Sequence, residues 1–227
     1  LIPAFGGIAF ILFLAWGLQR APVADSGVFT PSMLPVYVAL LSALFLGERF
    51  TRLRLTGFAL IILGALAVGG WTALTREGEA VWLGHLSFTA ASLSWAAYAI
   101  LFRQSGMRAE DAAALLCFWS AIGFAALGAT TGISFAGISG TTILIQIVFQ
   151  GVLSGFVASF TFFYAIHHLG ASRTAAFAAL VPILAALGGW LWLDEPIGWI
   201  KATGIGIVAT GVLLASGILK ASPKPGG

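Results

Sequence analysis

Glu48 and Glu195 are the residues that most invite chemistry, because paired carboxylates in apolar surroundings can carry a proton or serve as general acid and base. They occupy matching settings 147 residues apart. Pro35 precedes Glu48 by thirteen residues as Pro182 precedes Glu195, Thr56-Gly57 returns as Thr203-Gly204, and Gly64 returns as Gly211. The segment from Ala24 to Gly70 thus recurs from Ala171 to Gly217, with twelve of 47 positions identical and no gap. Alanine and leucine matches are cheap in so apolar a chain, so the repeat rests on its Pro, Glu, Thr-Gly and Gly positions.

The elements that must position these residues lie in a bilayer. With 59% hydrophobic residues, 8% charged residues and a mean hydropathy of +1.02, the chain cannot cover a water-facing surface of globular size. From Ala112 to Ile166 it has fifty-five residues without one Asp, Glu, Lys, Arg or His, far more than the roughly 20 that cross one hydrocarbon core. Apolar runs broken by charged or Gly/Pro-rich turns predict an all-α polytopic membrane protein with helices at 4–18, 27–46, 55–74, 82–102, 112–131, 143–166, 174–193 and 199–219. A barrel would alternate polar and apolar residues, and these runs are continuous.

Short cytoplasmic loops hold Lys and Arg in excess. Alternate connections contain Arg49, Arg52 and Arg54, then Arg103 and Arg108, then Arg173, then Lys220 and Lys224, whereas the opposite ones contain Arg20, Arg76 and Lys201. The bias predicts a cytoplasmic C-terminus, and it accounts for the net charge of +3 without nucleic-acid binding. Five helices, an odd number, separate equivalent points of the repeat, so the two copies are expected to be inverted about an axis in the membrane plane. Each unit then needs five helices. Residues 82–219 supply five and residues 1–74 supply three, with 220–227 a short disordered tail. The chain begins Leu-Ile-Pro inside an apolar run, and the expectation is that two N-terminal helices of a ten-helix protein are missing.

Inversion puts Glu48 and Glu195 on opposite membrane faces, too far apart to act together. Each reads as a residue that pins a turn into the next helix. Gly57 and Gly64, matched by Gly204 and Gly211, fall seven apart on one helix face and read as sites of close helix packing. Pro35 and Pro182 fall a little past the midplane, where a proline frees a backbone carbonyl toward a cavity or forms a hinge.

The spans themselves offer no acid or base, so a coupling carboxylate is not visible. His85 and the pair His167-His168 sit at span ends and read as interfacial. What the spans carry is uncharged: Ser32, Trp95, Tyr98, Gln150, Ser154 and Tyr164, with Gln150, Ser154 and Thr161 on one face of the sixth helix. With Pro35 and Pro182 these six residues are the candidates for a substrate pathway. Cys117, the one cysteine, reads as a small packing residue. No catalytic residue, metal site or cofactor is expected, because no cluster of His, Asp, Glu or Ser shares one depth.

Two stretches, LPVYVALLSALFLGERFTRLRLTG from Leu34 to Gly57 and VPILAALGGWLWLDEPIGWIKATG from Val181 to Gly204, resemble the Pro, apolar run, Leu-Gly-Glu and Gly pattern of the EamA-type transporters of the drug/metabolite transporter superfamily. SWAAYAILFRQ from Ser94 to Gln104 is similar to the first helix of that family's second unit. Asp194 departs from the pattern where the family has Gly. The resemblance implies ten helices in two inverted five-helix units, and alternating-access transport across a bacterial inner membrane. With no buried charge, the expected substrate is a small neutral or zwitterionic metabolite such as an amino acid. Its partners are then that small molecule and the lipid bilayer, and any coupling ion stays open. A membrane-embedded enzyme and a structural membrane protein are the alternative readings.

Overall fold

The computed structural model describes residues 5–75, 80–132, 137–178, 180–184, 191 and 198–216. Asp194, Glu195 and the expected tail lie outside them. The described residues are helical, joined by turns and short connections, with no strand among them. Helix α1 begins as a π-helical segment, Phe5–Ala9, and continues as an α-helix, Phe10–Leu18. It is followed by α2 (Val23–Leu46), α3 (Arg52–Thr75), α4 (Val81–Ser105) and α5 (Ala109–Thr131). Helix α6 spans Gly140–Leu169 with π-helical geometry over Ile147–Val157, and α7 (Ala171–Ala178) and α8 (Trp199–Ser216) complete the series.

Among the described residues, four segments are long and apolar enough to cross a membrane: Asp25–Leu46, Val81–Ser105, Ala109–Thr131 and Gly140–Leu169. Helix is the form such runs take in lipid, because it pairs backbone groups within one segment. The ends are marked locally. Gly47 and Gly106 take the left-handed conformation that closes α2 and α4, and Ser139 caps α6 by accepting from the Thr142 N–H. Pro22 occupies the N-cap of α2, which therefore starts at Val23 and not at residue 27. That difference brings Asp25 into the helix. The expected seventh helix, 174–193, falls partly on undescribed residues; α7, residue 180, the helical residues 181–184 and residue 191 are what is described there.

Helices α2 and α4 run side by side in the same direction and hold the centre. Val38, Ala96, Tyr98 and Ala99 pack with Ala112, Phe163 and Ala175 from α5, α6 and α7 in one buried cluster. Phe163 is its hub, with ring centroids 5.1 Å from Tyr98 and 4.8 Å from Phe102. The outer faces of α5 and α6 expose Phe118, Trp119, Ile122, Leu144, Ile145 and Phe149, as lipid-facing helices do.

Helices α3 and α8 cross antiparallel and touch backbone to backbone. A Cβ on Gly57 would lie 2.6 Å from the Gly211 carbonyl oxygen, and one on Gly64 would lie 2.8 Å from that of Gly204. Ile61 and Val208, the repeat-equivalent residues between them, are fully buried in the same seam. The contacts are reciprocal: Gly57 meets the equivalent of Gly64, and Gly64 meets the equivalent of Gly57.

Candidate functional site

A cavity of about 620 Å3 opens between α1, α2, α4, α5 and α6. One wall is aromatic. The Trp95 ring lies 5.4 Å from Phe10 and 5.7 Å from Phe162, centroid to centroid, and all three line the space. Hydroxyl and amide groups also line the space, from Thr30, Ser92, Ser120, Gln150, Ser154 and Ser159. Apart from the Cys117 thiol, no lining residue among those described can ionise.

Local structure explains how these groups reach the cavity. Pro31 cannot donate to the Gly27 carbonyl, nor Pro35 to that of Pro31, and both Gly27 and Pro31 line the space. Ser92 donates to the Thr30 carbonyl at 2.8 Å, tying α4 to α2 beside this weakened stretch. Among the described residues, the hydroxyls of Thr30 and Ser120 are buried and have no protein partner, a state that costs free energy unless a ligand or water meets them. Both π-helical segments border the cavity, one through Gly6 and Gly7 and the other through Gln150, Ser154 and Gly155. Such segments are rare and gather at functional sites. Gly7 lets α1 approach Ser120, since a Cβ there would lie 2.0 Å from its hydroxyl oxygen.

The structure divides the sequence candidates. Trp95, Gln150 and Ser154 line the cavity. Pro35 is fully buried one turn behind Pro31, and Ser32 is buried with an unpartnered hydroxyl outside the lining. Tyr98 sits behind the Trp95 wall, fully buried, and donates to the Ala112 carbonyl at 2.9 Å. Tyr164 faces outward at 54% exposure, against Phe160 and His168. Pro182 is fully buried next to Val181, which does line the cavity. Thr161 bonds back to the Val157 carbonyl and is not with Gln150 and Ser154, because π-helical turns alter the angular spacing on which the shared face depended.

Sequence reasoning passed over Thr30, Ser92 and Ser120, and it gave Cys117 a packing role only. It also placed His85 at the interface, and here the structure corrects it. His85 Nε2 is 2.8 Å from Asp25 Oδ2, both side chains are buried, and the imidazole stacks on Phe29 at 4.5 Å. Pro22 at the N-cap, followed by Asp in the first turn, was the available signal.

A second polar network closes the opposite end of the α2–α4 pair. Glu48 Oε1 accepts from Arg103, and Glu48 Oε2 accepts from the Ser172 hydroxyl at 2.7 Å. Ser172 also lies 3.3 Å from the Ser42 hydroxyl. Partial burial pushes the Glu48 carboxyl up, but the Ser172 hydrogen bond and the charges of Arg103 and Arg54 outweigh it and hold the group below its ordinary value. Glu48 therefore secures the α2–α3 connection to α4 and α7. Gly57 and Gly204 remain in the α3–α8 seam, away from the cavity lining. Among the described residues no group of three His, Cys, Asp or Glu side chains could hold a metal.

Known proteins share this architecture. Residues 1–70 and 82–217 match the model of the EamA-like transporter family. An uncharacterized transporter of Bacillus subtilis is 25% identical over 228 residues, spanning 96% of this chain and 72% of its own length. One from Archaeoglobus fulgidus is 26% identical over 184 residues, spanning 81% and 64%. A protein of Streptantibioticus cattleyicolor named as a probable terminal-alkyne amino-acid exporter is 26% identical over 215 residues, spanning 93% and 70%. A solved crystal structure shows the same fold, with a TM-score of 0.66 over 95% of this chain and 76% of its own, at 20% identity. Matched along nearly its whole length and built of apolar helices, the chain belongs to the EamA-like transporter family of integral membrane proteins.

Proposed function

We propose that this protein is a secondary transporter of a bacterial inner membrane that moves a small neutral or zwitterionic metabolite, an amino acid or a related compound, by alternating access. The observation that carries the reading is the cavity: aromatic rings line it together with two buried hydroxyls that lack a protein partner, and no charged side chain lines it, among the described residues. Such a site suits a ligand with an apolar body and hydrogen-bonding groups. A strongly anionic ligand would need Arg or Lys there. The relative named as an amino-acid exporter supports the substrate class.

Inverted repeats support the mechanism. Reciprocal contacts between equivalent glycines on antiparallel helices are what a two-fold axis in the membrane plane produces at the place where it passes between α3 and α8. In this reading the arginine-rich end, with Arg49, Arg54, Arg103 and Arg173, faces the cytoplasm, and so does the C-terminus. Purified protein in liposomes should show saturable flux of at least one member of an amino-acid panel. Ser120→Ala should raise the KM for that member about two- to tenfold, the effect of one lost hydrogen bond, without loss of stability. Flux absent across the panel, or a KM untouched by S120A, would defeat the proposal.

A further inference from the structure

The arginine-bearing end of the bundle holds a second cavity, of about 280 Å3, between the α2–α3 connection, the start of α3, the end of α4 and the start of α7. Arg49, Arg54, Arg103 and Arg173 line it together with Glu48 and Ser172. Guanidinium groups do not deprotonate in proteins, so four fixed positive charges face one carboxylate. That carboxylate is already occupied by Arg103 and Ser172.

Arg54 is the most informative of the four. Its Nε donates to the Ala215 carbonyl at 2.8 Å, and its guanidinium lies over the Phe50 ring at 4.6 Å, so the group is held in one orientation. Its Nη2 is buried and has no partner among the described residues. An unsatisfied charged donor is expensive, and proteins keep one mainly where something else completes it. Arg54 feels the attraction of the Glu48 carboxylate and, more weakly, the repulsion of Arg173, and a further anion between the two guanidiniums would relieve that repulsion. Such fixed, forked donors match a tetrahedral oxyanion better than a single point charge would. The N-terminus of α7 opens onto the same space through Gly170 and Ser172 and adds partial positive charge.

We propose that this cavity is a phosphate-binding site, filled by the headgroup phosphate of an anionic lipid or by soluble phosphate. Its place at the helix ends, where headgroups lie, makes both sources accessible. The ligand is bound there and not carried, since the uncharged cavity of the transport path lies between other helix segments.

The test uses the full chain in neutral detergent micelles and reads binding, so its outcome does not depend on transport. Thermal midpoints are followed while inorganic phosphate replaces chloride at constant ionic strength, and separately while phosphatidylglycerol replaces phosphatidylcholine in the micelle. A saturable rise with phosphatidylglycerol alone assigns the site to a headgroup, and a rise with both assigns it to phosphate itself. In either case Arg173→Gln, at an exposed position, should weaken the apparent affinity about tenfold, the loss of one charge-assisted contact. Arg49→Gln, also exposed, is the second variant should the first be poorly expressed. Equal behaviour with chloride and phosphate together with equal behaviour of the two lipids, or a response that both variants leave unchanged, overturns the proposal.

Discussion

The backbone contact between α3 and α8 can be tested with one methyl group. In Gly57→Ala the new Cβ would lie 2.5 Å from the Ala215 nitrogen and 2.6 Å from the Gly211 carbonyl oxygen. Both are backbone atoms, so no side chain can rotate away and the helices must separate. Overpacking of this kind costs about 1–3 kcal/mol, whereas replacing a helical glycine by alanine gains about 1 kcal/mol, leaving a net loss of about 0–2 kcal/mol. Gly206, on the same helix α8, is the control, because a Cβ there would meet nothing within 4 Å. Gly206→Ala should therefore gain the propensity without the clash and stabilise by roughly 0.5–1 kcal/mol. Reversible unfolding in mixed micelles measures both. The reciprocal geometry adds a further requirement. Gly57→Ala and Gly211→Ala push on the same crossing, so the double variant should lose less than the sum of the single losses. If G57A proves as stable as G206A, the seam is looser than described and its bearing on inverted symmetry falls away.

Tyr98→Phe removes the donor to the Ala112 carbonyl and should cost about 1 kcal/mol of stability, with flux per folded molecule unchanged; a selective change in substrate KM would return Tyr98 to the site. His85→Ala removes one hydrogen bond to the buried Asp25 and the stacking on Phe29 and should destabilise by about 1–3 kcal/mol, read from the same unfolding curves. A loss below about 0.5 kcal/mol would show the pair to be dispensable. For Glu48, the carboxyl is held lower in the folded protein than in the unfolded chain, so its contribution is complete above the ordinary glutamate value of about 4.3 and is lost as pH falls through the lower folded value. Wild type should accordingly exceed Glu48→Gln in thermal midpoint at pH 7, and the two should converge in acid; a gap that widens on acidification contradicts the assignment.

Much of the architecture was legible because lipid imposes it. Continuous apolar runs must become helices there, and the Pro, Leu-Gly-Glu and Gly spacing is specific enough to carry the family. Trp95, Gln150 and Ser154 were found on the same logic, since amphipathic side chains in an apolar span need somewhere polar to point. Ser120 and Thr30 were not, because a hydroxyl can bond back to its own helix, as Thr161 does, and sequence does not say which ones fail to. Tyr98 misled for a related reason: its hydroxyl needed a partner and found a backbone carbonyl of α5, a contact that depends on how two helices pack. Asp25 was hidden by a boundary. Placing the start of α2 at residue 27 put the acid in a loop, and a shift of one turn buries it.

The pairing of α2 with α4 bears on where this protein can flex. Asp25 and His85 fasten the two helices at one end, Ser92 and Thr30 in the middle, and Glu48 and Arg103 at the other. His85 and Arg103 lie eighteen residues apart, about 27 Å along the helix, so the fastenings run nearly the thickness of the hydrocarbon core. Helix α4 acts as a splint. A helix with two prolines would ordinarily be the weak rod of the bundle, but here α4 is tied to it at three points along its length. Pro31 and Pro35 then serve the cavity, beside which Gly27 and Pro31 keep carbonyls that the prolines cannot reach with a hydrogen bond.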